Sequence, residues 1–261
     1  STLSASSAAS DVYKRQLNLT ISDRLKPGLE EIYKKYTVND EYKPNATQSA
    51  YRALRNRALS FLAYQDSAFL AKIQATGAQN MTDQLSAFST VIKHNPNSEH
   101  IKLFYDQWKH ERLVIDKWFS AQVLAAHPNS LTKVVKNLTT HSDFTIKTPN
   151  RVRSILGAFS ANTAGFHLET GENYKLFSDW ILKVDPVNPQ VGARMCSAFE
   201  TWKRYDSKRQ KLIRSQMNRV LGAESVSKDT REMLTRLINY SFGLRELSTK
   251  FQIFTNINLL F

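Results

Sequence analysis

Thr148-Pro149-Asn150-Arg151-Val152-Arg153 and Asn188-Pro189-Gln190-Val191-Gly192-Ala193-Arg194 are two helix starts of one design. In each, Thr or Asn stands where an N-cap belongs and Pro takes the first helical position. There its missing N–H costs nothing and its fixed φ suits the helix. Each also places arginine within two turns of the helix start. Arginine there opposes the helix dipole, so it is a poor choice for stability alone. Beside unpaired N–H groups it suits a carboxylate instead. The two starts lie forty residues apart, and Pro149…Gly157-Ala158-Phe159 superposes on Pro189…Ser197-Ala198-Phe199 at that offset.

Outward from this stretch the chain keeps a helical period. Towards the N-terminus, Ser130 to Thr140 turns Leu131, Val134, Val135 and Leu138 to one side, and Leu113 to Ala126 stops at His127-Pro128. His100 to Lys109 does the same with Ile101, Phe104, Tyr105 and Trp108. Asn80 can cap a helix with Asp83 at its third position and Met81, Leu85, Phe88, Val91 and Ile92 inward. Ala68, Phe69 and Ile73 predict a short helix ending near Gly77, and Tyr51, Leu54, Ala58, Phe61 and Leu62 an amphipathic one. A first helix carries Leu25, Leu29, Ile32, Tyr33 and Tyr36 on one face. Towards the C-terminus, helices are expected at Glu172 to Val184, Ser207 to Leu221 and Ser227 to about Asn239. No stretch alternates with period two long enough for a strand. Helix pairs recur at roughly 35 to 40 residues, and about eleven helices are expected. The fold class expected is therefore all-α, a curved HEAT/armadillo-like solenoid of stacked antiparallel helix pairs.

Composition agrees with a globular helical protein. The 261 residues are 41% hydrophobic and 23% charged, and eight glycines and seven prolines are few for that length. No apolar run is long enough to span a bilayer, and no secretory signal is visible. The single cysteine, Cys196, excludes an intramolecular disulfide framework and fits a reducing, cytoplasmic setting. Inside a predicted helix it reads as a small buried hydrophobe. Trp108, Trp118, Trp180 and Trp202 likewise read as core. The net charge of +13 is spread over the whole chain, and its densest stretch, Lys203 to Arg219, reads as the wet face of one helix. At the ends, residues 1–16 (largely Ser and Ala at first) read as a non-native or disordered leader, and residues 241–261 as a divergent tail.

The two Pro-started motifs resemble those of the C-terminal helical domain of the bacterial aminopeptidase N family, zinc-dependent alanyl aminopeptidases of the gluzincin group. Further similar motifs run in the same order. They are Arg52-Ala-Leu-Arg55-Asn56, Asn80-Met-Thr-Asp83, Leu113-Val-Ile-Asp116-Lys117-Trp118-Phe119 and Arg204-Tyr205-Asp206-Ser-Lys208-Arg209-Gln210. The resemblance covers roughly Leu17 to Leu237. It implies a solenoid over residues 17–240 that packs over a catalytic domain of the same parent chain, closes the active site into a chamber and admits peptides. That catalytic domain would precede this segment and hold the zinc. By the same resemblance Arg153, Gln190 and Arg194 would face the chamber as substrate-binding residues. The two arginines would meet backbone carbonyls or a C-terminal carboxylate, and Gln190 would offer its amide. Arg151, two residues from Arg153, points elsewhere on the helix.

Catalytic signatures are missing from the chain itself. His-Glu-x-x-His puts two imidazoles one helical turn apart to face a zinc ion. The His-Glu pair here is His110-Glu111, and Val114 stands where the second His belongs. There is no Gly-x-Ser-x-Gly, phosphate loop or dinucleotide fingerprint. The expectation is a non-catalytic piece with no catalytic or metal-binding residue and no cofactor of its own. Its partners are the catalytic domain and peptides, with neither nucleic acid nor membrane. The competing reading is a free-standing helical-repeat scaffold that binds protein or nucleic acid through basic charge.

Overall fold

The computed structural model of the chain describes residues 6–239, all of whose regular elements are helical. The expected tail at 241–261 lies outside the described residues, as do residues 1–5. The chain runs through α1 (Ser6–Arg24), α2 (Lys26–Lys35), α3 (Ala46–Leu62), α4 (Phe69–Gly77), α5 (Met81–His94), α6 (His100–Trp108) and α7 (Arg112–Ala125). It continues through α8 (Leu131–Leu138), α9 (Pro149–Val152), α10 (Ala158–Ala161), α11 (Thr163–Phe166) and α12 (Glu172–Val184). It ends with α13 (Pro189–Met195), α14 (Ser207–Leu221) and α15 (Lys228–Asn239). A π-helical turn, Arg153–Gly157, joins α9 to α10 in one run, and a 3₁₀ turn, Cys196–Phe199, extends α13.

These helices stack as antiparallel pairs in a HEAT/armadillo-like solenoid. One layer sets α3 beside α5, α5 beside α7, and α7 beside the 149–161 run. The other sets α8 beside α12 and α12 beside α14, while α2, α4 and α6 cover α3, α5 and α7. A single apolar core extends from Phe88 to Leu237. Its centre is aromatic, with Phe166 in edge contact with Phe159, Tyr174 and Phe177 at centroid distances of 5.3, 5.5 and 5.2 Å. Phe199 also meets Phe166 and Phe177. The forty-residue repeat thus has a physical purpose: Phe159 and Phe199 enter this cluster from successive helix pairs. Trp118 and Trp202 are buried, with Nε1 donating to Ile101 O at 2.9 Å and Leu237 O at 3.1 Å. Trp108 and Trp180 pack at the core margin. Cys196 is fully buried, and burial pushes its thiol up to about 12, as befits an inert small hydrophobe.

Local signals placed many boundaries. Asn80 Oδ1 accepts from Asp83 N at 2.9 Å, and Asn188 Oδ1 from Val191 N at 3.1 Å, as N-caps should. Thr148 does not cap: its backbone is extended, but its side chain bonds no helical N–H. The faces of the early helices also differ from expectation. Tyr51 and Leu54 are 41% and 46% exposed, and Phe69, Ile73 and Leu25 also lie outside. On α3 the expected Ala58 and Leu62 are buried, and Gln48, Arg52, Asn56 and Leu59 are buried with them. Apolar counting misses the polar part of that face because Gln74 of α4 and Asp83 of α5 stand opposite Asn56, beside the apolar cluster of Leu59 with Ala71, Ala75, Ala87 and Val91. Asn56 Nδ2 donates to Asp83 Oδ1 at 2.8 Å, and Gln74 Nε2 donates to Asn56 Oδ1 at 2.8 Å.

No element is expected before Leu17, yet α1 begins at Ser6. No glycine or proline interrupts Ser6–Arg24, and Val12, Tyr13 and Leu17 are 58%, 65% and 45% exposed, so this helix does not rest on a buried face there. The later part of α1 is anchored by Ser22 Oγ donating to Phe61 O at 2.7 Å.

Candidate functional site

The 149–161 run carries the first of the expected substrate-facing arginines. Pro149 opens it, and the π turn then admits one extra residue per turn, which shifts the helical phase. Arg153 at the head of that turn is exposed, and its guanidinium donates to Asn150 Oδ1. Ser120 Oγ donates to Ser154 O at 2.9 Å and so binds the π turn to α7. Gln190 and Arg194 lie on α13 and are also exposed, with no side-chain hydrogen bond or ion pair among the described residues. All three side chains are therefore at the surface, with Arg153 bonded to Asn150 of its own turn. No hydrogen bond among the described residues joins α9 to α13.

Arg151 has the opposite environment. Its side chain is 8% exposed, and its Nε lies 2.8 Å from Asp116 Oδ1. The contact is coulombic rather than a formed hydrogen bond, because Asp116 Oδ1 has no aligned donor. Arg151 Nη2 donates to Arg112 O at 3.5 Å, and the guanidinium sits 5.0 Å from the Phe119 ring centroid. Burial holds the Asp116 carboxyl above the ordinary carboxylate range, against the pull of Arg151, Arg112 and Arg153. Asp116 and Arg151 belong to two of the ordered motifs, thirty-five residues apart, which is one helix pair. That spacing was the available signal for their contact.

The remaining motifs meet in the same manner. Arg55 Nη1 approaches Asp83 Oδ2 at 3.8 Å, which joins the Arg52–Asn56 motif to Asn80–Asp83. Arg209, expected on a wet face, is 3% exposed and donates through Nε to His167 O at 2.6 Å, while Asp206 caps α14. Gly192 of the second Pro-started motif lies against Asp185: a Cβ there would fall 2.5 Å from Asp185 Oδ1. Thus much of each motif holds helix pairs together, and Arg153, Gln190 and Arg194 are the exposed exceptions named above.

Among the described residues no three His, Cys, Asp or Glu side chains converge as a metal site requires. His110 and Glu111 lie in the turn before α7, with Glu111 at its N-cap position. Among the described residues, then, no side-chain set fits a zinc ion. Nor is any described helix long and apolar enough to cross a membrane.

Comparison with known proteins follows the same geometry. The family described as "Domain of unknown function (DUF3458_C) ARM repeats" matches residues 7–239. Aminopeptidase N of Escherichia coli is 34% identical over 231 residues, covering 86% of this chain and 26% of that protein. Aminopeptidase N of Haemophilus influenzae is 32% identical, with 84% and 25% covered, and that of Caulobacter vibrioides 31%, with 90% and 28%. Among solved structures, aminopeptidase A of Legionella pneumophila in complex with aspartic acid superposes with a TM-score of 0.78 at 27% identity, covering 86% of this chain and 28% of that one. The chain spans about a quarter of the length of the curated relatives it matches. On its stacked helices, its ordered motifs and this match, the chain belongs to the DUF3458_C family of ARM-repeat domains.

Proposed function

We propose that this chain is the non-catalytic C-terminal domain of a zinc aminopeptidase, and that it covers the active site and walls the chamber through which peptides enter. The observation that carries the reading is the match of almost the whole chain to one quarter of proteins named aminopeptidase N. The zinc and the bond-breaking step belong to a separate catalytic domain of the parent protein, the chief partner of this solenoid. Peptides are the second partner, and the cytoplasm is the setting that the lone, deeply buried thiol suits. Nucleic acid and a free-standing scaffold role are not needed to account for a charge spread along the whole sequence.

Arg153, Gln190 and Arg194 are the substrate-facing residues of this reading. The exposure of all three supports it, and so does the lack of any side-chain hydrogen bond or ion pair at Gln190 and Arg194 among the described residues, while Arg153 is bonded to Asn150 of its own turn. The test is Arg194→Ala in the intact enzyme. A charge-assisted contact is worth about 1.5–3 kcal/mol, so KM for a peptide should rise by about tenfold to a hundredfold. A single-residue anilide, which has no distant carboxylate, should keep its KM. A lowered melting temperature with unchanged peptide kinetics would make Arg194 structural and remove it from the chamber.

A further inference from the structure

Between α4 and α6, over α5, lies a cleft of about 190 Å³. Phe88 and Phe104 line its depth, their rings stacked at a centroid distance of 4.4 Å, and Leu103 stands at its rim, 50% exposed. A chain that is 23% charged brings no Asp, Glu, Lys or Arg to this lining. An ion would lose hydration there without meeting a counter-charge, so the cleft suits a neutral occupant.

Polar groups of the lining keep hydrogen-bonding capacity that their neighbours define. Trp108 Nε1 can only donate, so the atom it meets at 3.0 Å is Gln84 Oε1. Gln84 Nε2 then donates to Ala75 O at 3.1 Å and to Gln107 Oε1 at 2.8 Å. That leaves Gln107 Nε2, on an exposed side chain, as a donor with no partner among the described residues. His100 also lines the cleft; it is 8% exposed, and its Nδ1 lies 3.0 Å from Ser98 Oγ. Its Nε2 bonds nothing among the described residues, yet it is not sealed from solvent. According to tautomer it donates or accepts. Thr76 spends its hydroxyl hydrogen on Lys72 O and Ile73 O, both at 3.1 Å, which leaves its oxygen to accept.

We propose that this cleft binds a neutral amide bearing a small apolar side chain, the chemistry of one apolar residue within a peptide. The side chain lies against Leu103 and the aromatic pair beneath it. The amide carbonyl accepts from Gln107 Nε2, and an amide N–H meets Thr76 Oγ1. His100 Nε2 answers either end of an amide, whichever tautomer it holds. The cleft's volume admits one such residue rather than a folded partner. The site lies on helices other than those of Arg153, Gln190 and Arg194, and the inference does not depend on the aminopeptidase reading.

Proton–nitrogen correlation spectra of the full chain, titrated with N-acetyl-leucinamide, test it. Saturable shifts of the Gln84 and Gln107 side-chain amides are expected. N-acetylglycinamide, which lacks the apolar side chain, should bind at least tenfold more weakly. Gln107 and Leu103 are exposed, so variants at both should fold normally. Gln107→Glu keeps the acceptor for Gln84 Nε2 but turns the free donor into a second acceptor. Read at Gln84, its affinity should fall at least tenfold. Leu103→Ala should lose affinity severalfold, while Val187→Ala, beyond α12, should leave it unchanged. A blocked pentapeptide with leucine between alanines separates the sources: binding at least as tight assigns the occupant to a peptide chain, and weaker binding to a free small amide. Absence of saturable shifts, equal affinity for N-acetylglycinamide, or undiminished affinity in Gln107→Glu would overturn the proposal.

Discussion

His167 shows how a single residue can be committed to one charge state. It is 5% exposed, its Nδ1 lies 2.9 Å from Tyr174 OH, and its ring stacks on Tyr205 at 4.0 Å. Burial, with the nearby Arg209 charge, lowers its pKa from 6.5 to about 4. The folded protein therefore holds His167 neutral where the unfolded chain would protonate it. Its contribution is complete above the unfolded value, is lost as pH falls through the interval from 6.5 to about 4, and is gone below. A shift of this size corresponds to about 3 kcal/mol. Urea unfolding near neutral pH and near pH ~4.5 measures it. In His167→Gln the loss of stability on acidification should shrink by about 2–3 kcal/mol. His94, also lowered mainly by burial, should retain its part.

At the scale of the element, α15 is started by a residue from a distant helix. Asp185, just after α12, is fully buried. Its Oδ2 accepts from Ser227 N at 2.6 Å, and its Oδ1 accepts from Ser227 Oγ at 2.7 Å and Thr230 Oγ1 at 2.5 Å. A carboxylate at a helix N-terminus also meets the positive end of the dipole. Gly192 makes room for this arrangement, because a Cβ there would fall 2.8 Å from Asp185 Cα, which a rotamer change cannot relieve. Asp185→Ala would orphan three donors, the buried Thr230 hydroxyl and two groups of the half-buried Ser227, and should cost about 2–3 kcal/mol. Asp185→Asn keeps one acceptor and should cost less. Chemical denaturation ranks the two variants, and near-equal values would refute the capping role.

Across the whole molecule the core is uneven. From Phe88 onward it is filled by large aromatic and aliphatic side chains. Before that it consists of small clusters, one built around Leu59, Ala63, Ala68, Ala71, Ala75, Ala87 and Val91 and another around Leu29, Ala58 and Leu62. Each buried alanine removes far less apolar surface from water than a phenylalanine does. In a solenoid each helix pair depends on its neighbours alone, so weak and strong ends need not melt together. Native-state hydrogen exchange should find α2–α4 opening at lower free energy than α12 and α14. Uniform protection along the chain would show one cooperative unit instead.

Much of this was readable in the chain itself. The extents of α12 and α14, the caps at Asn80 and Asn188, and the burial of Trp118, Trp202 and Cys196 follow from signals within a few residues of each other. Helical period and N-capping are local, with a donor and acceptor three positions apart, and a sequence displays them directly. Other features depended on what each helix meets. Asn56 is buried on α3 among Ala58, Leu59 and Leu62 because Gln74 and Asp83 stand opposite it. Arg151 is buried because Asp116 comes from the preceding pair, and Arg209 because His167 O waits forty-two residues away. The π turn after Val152 is likewise bound to α7 through Ser120. A buried charge needs a partner, and the partner's position is a property of the packed solenoid rather than of any neighbouring stretch of chain.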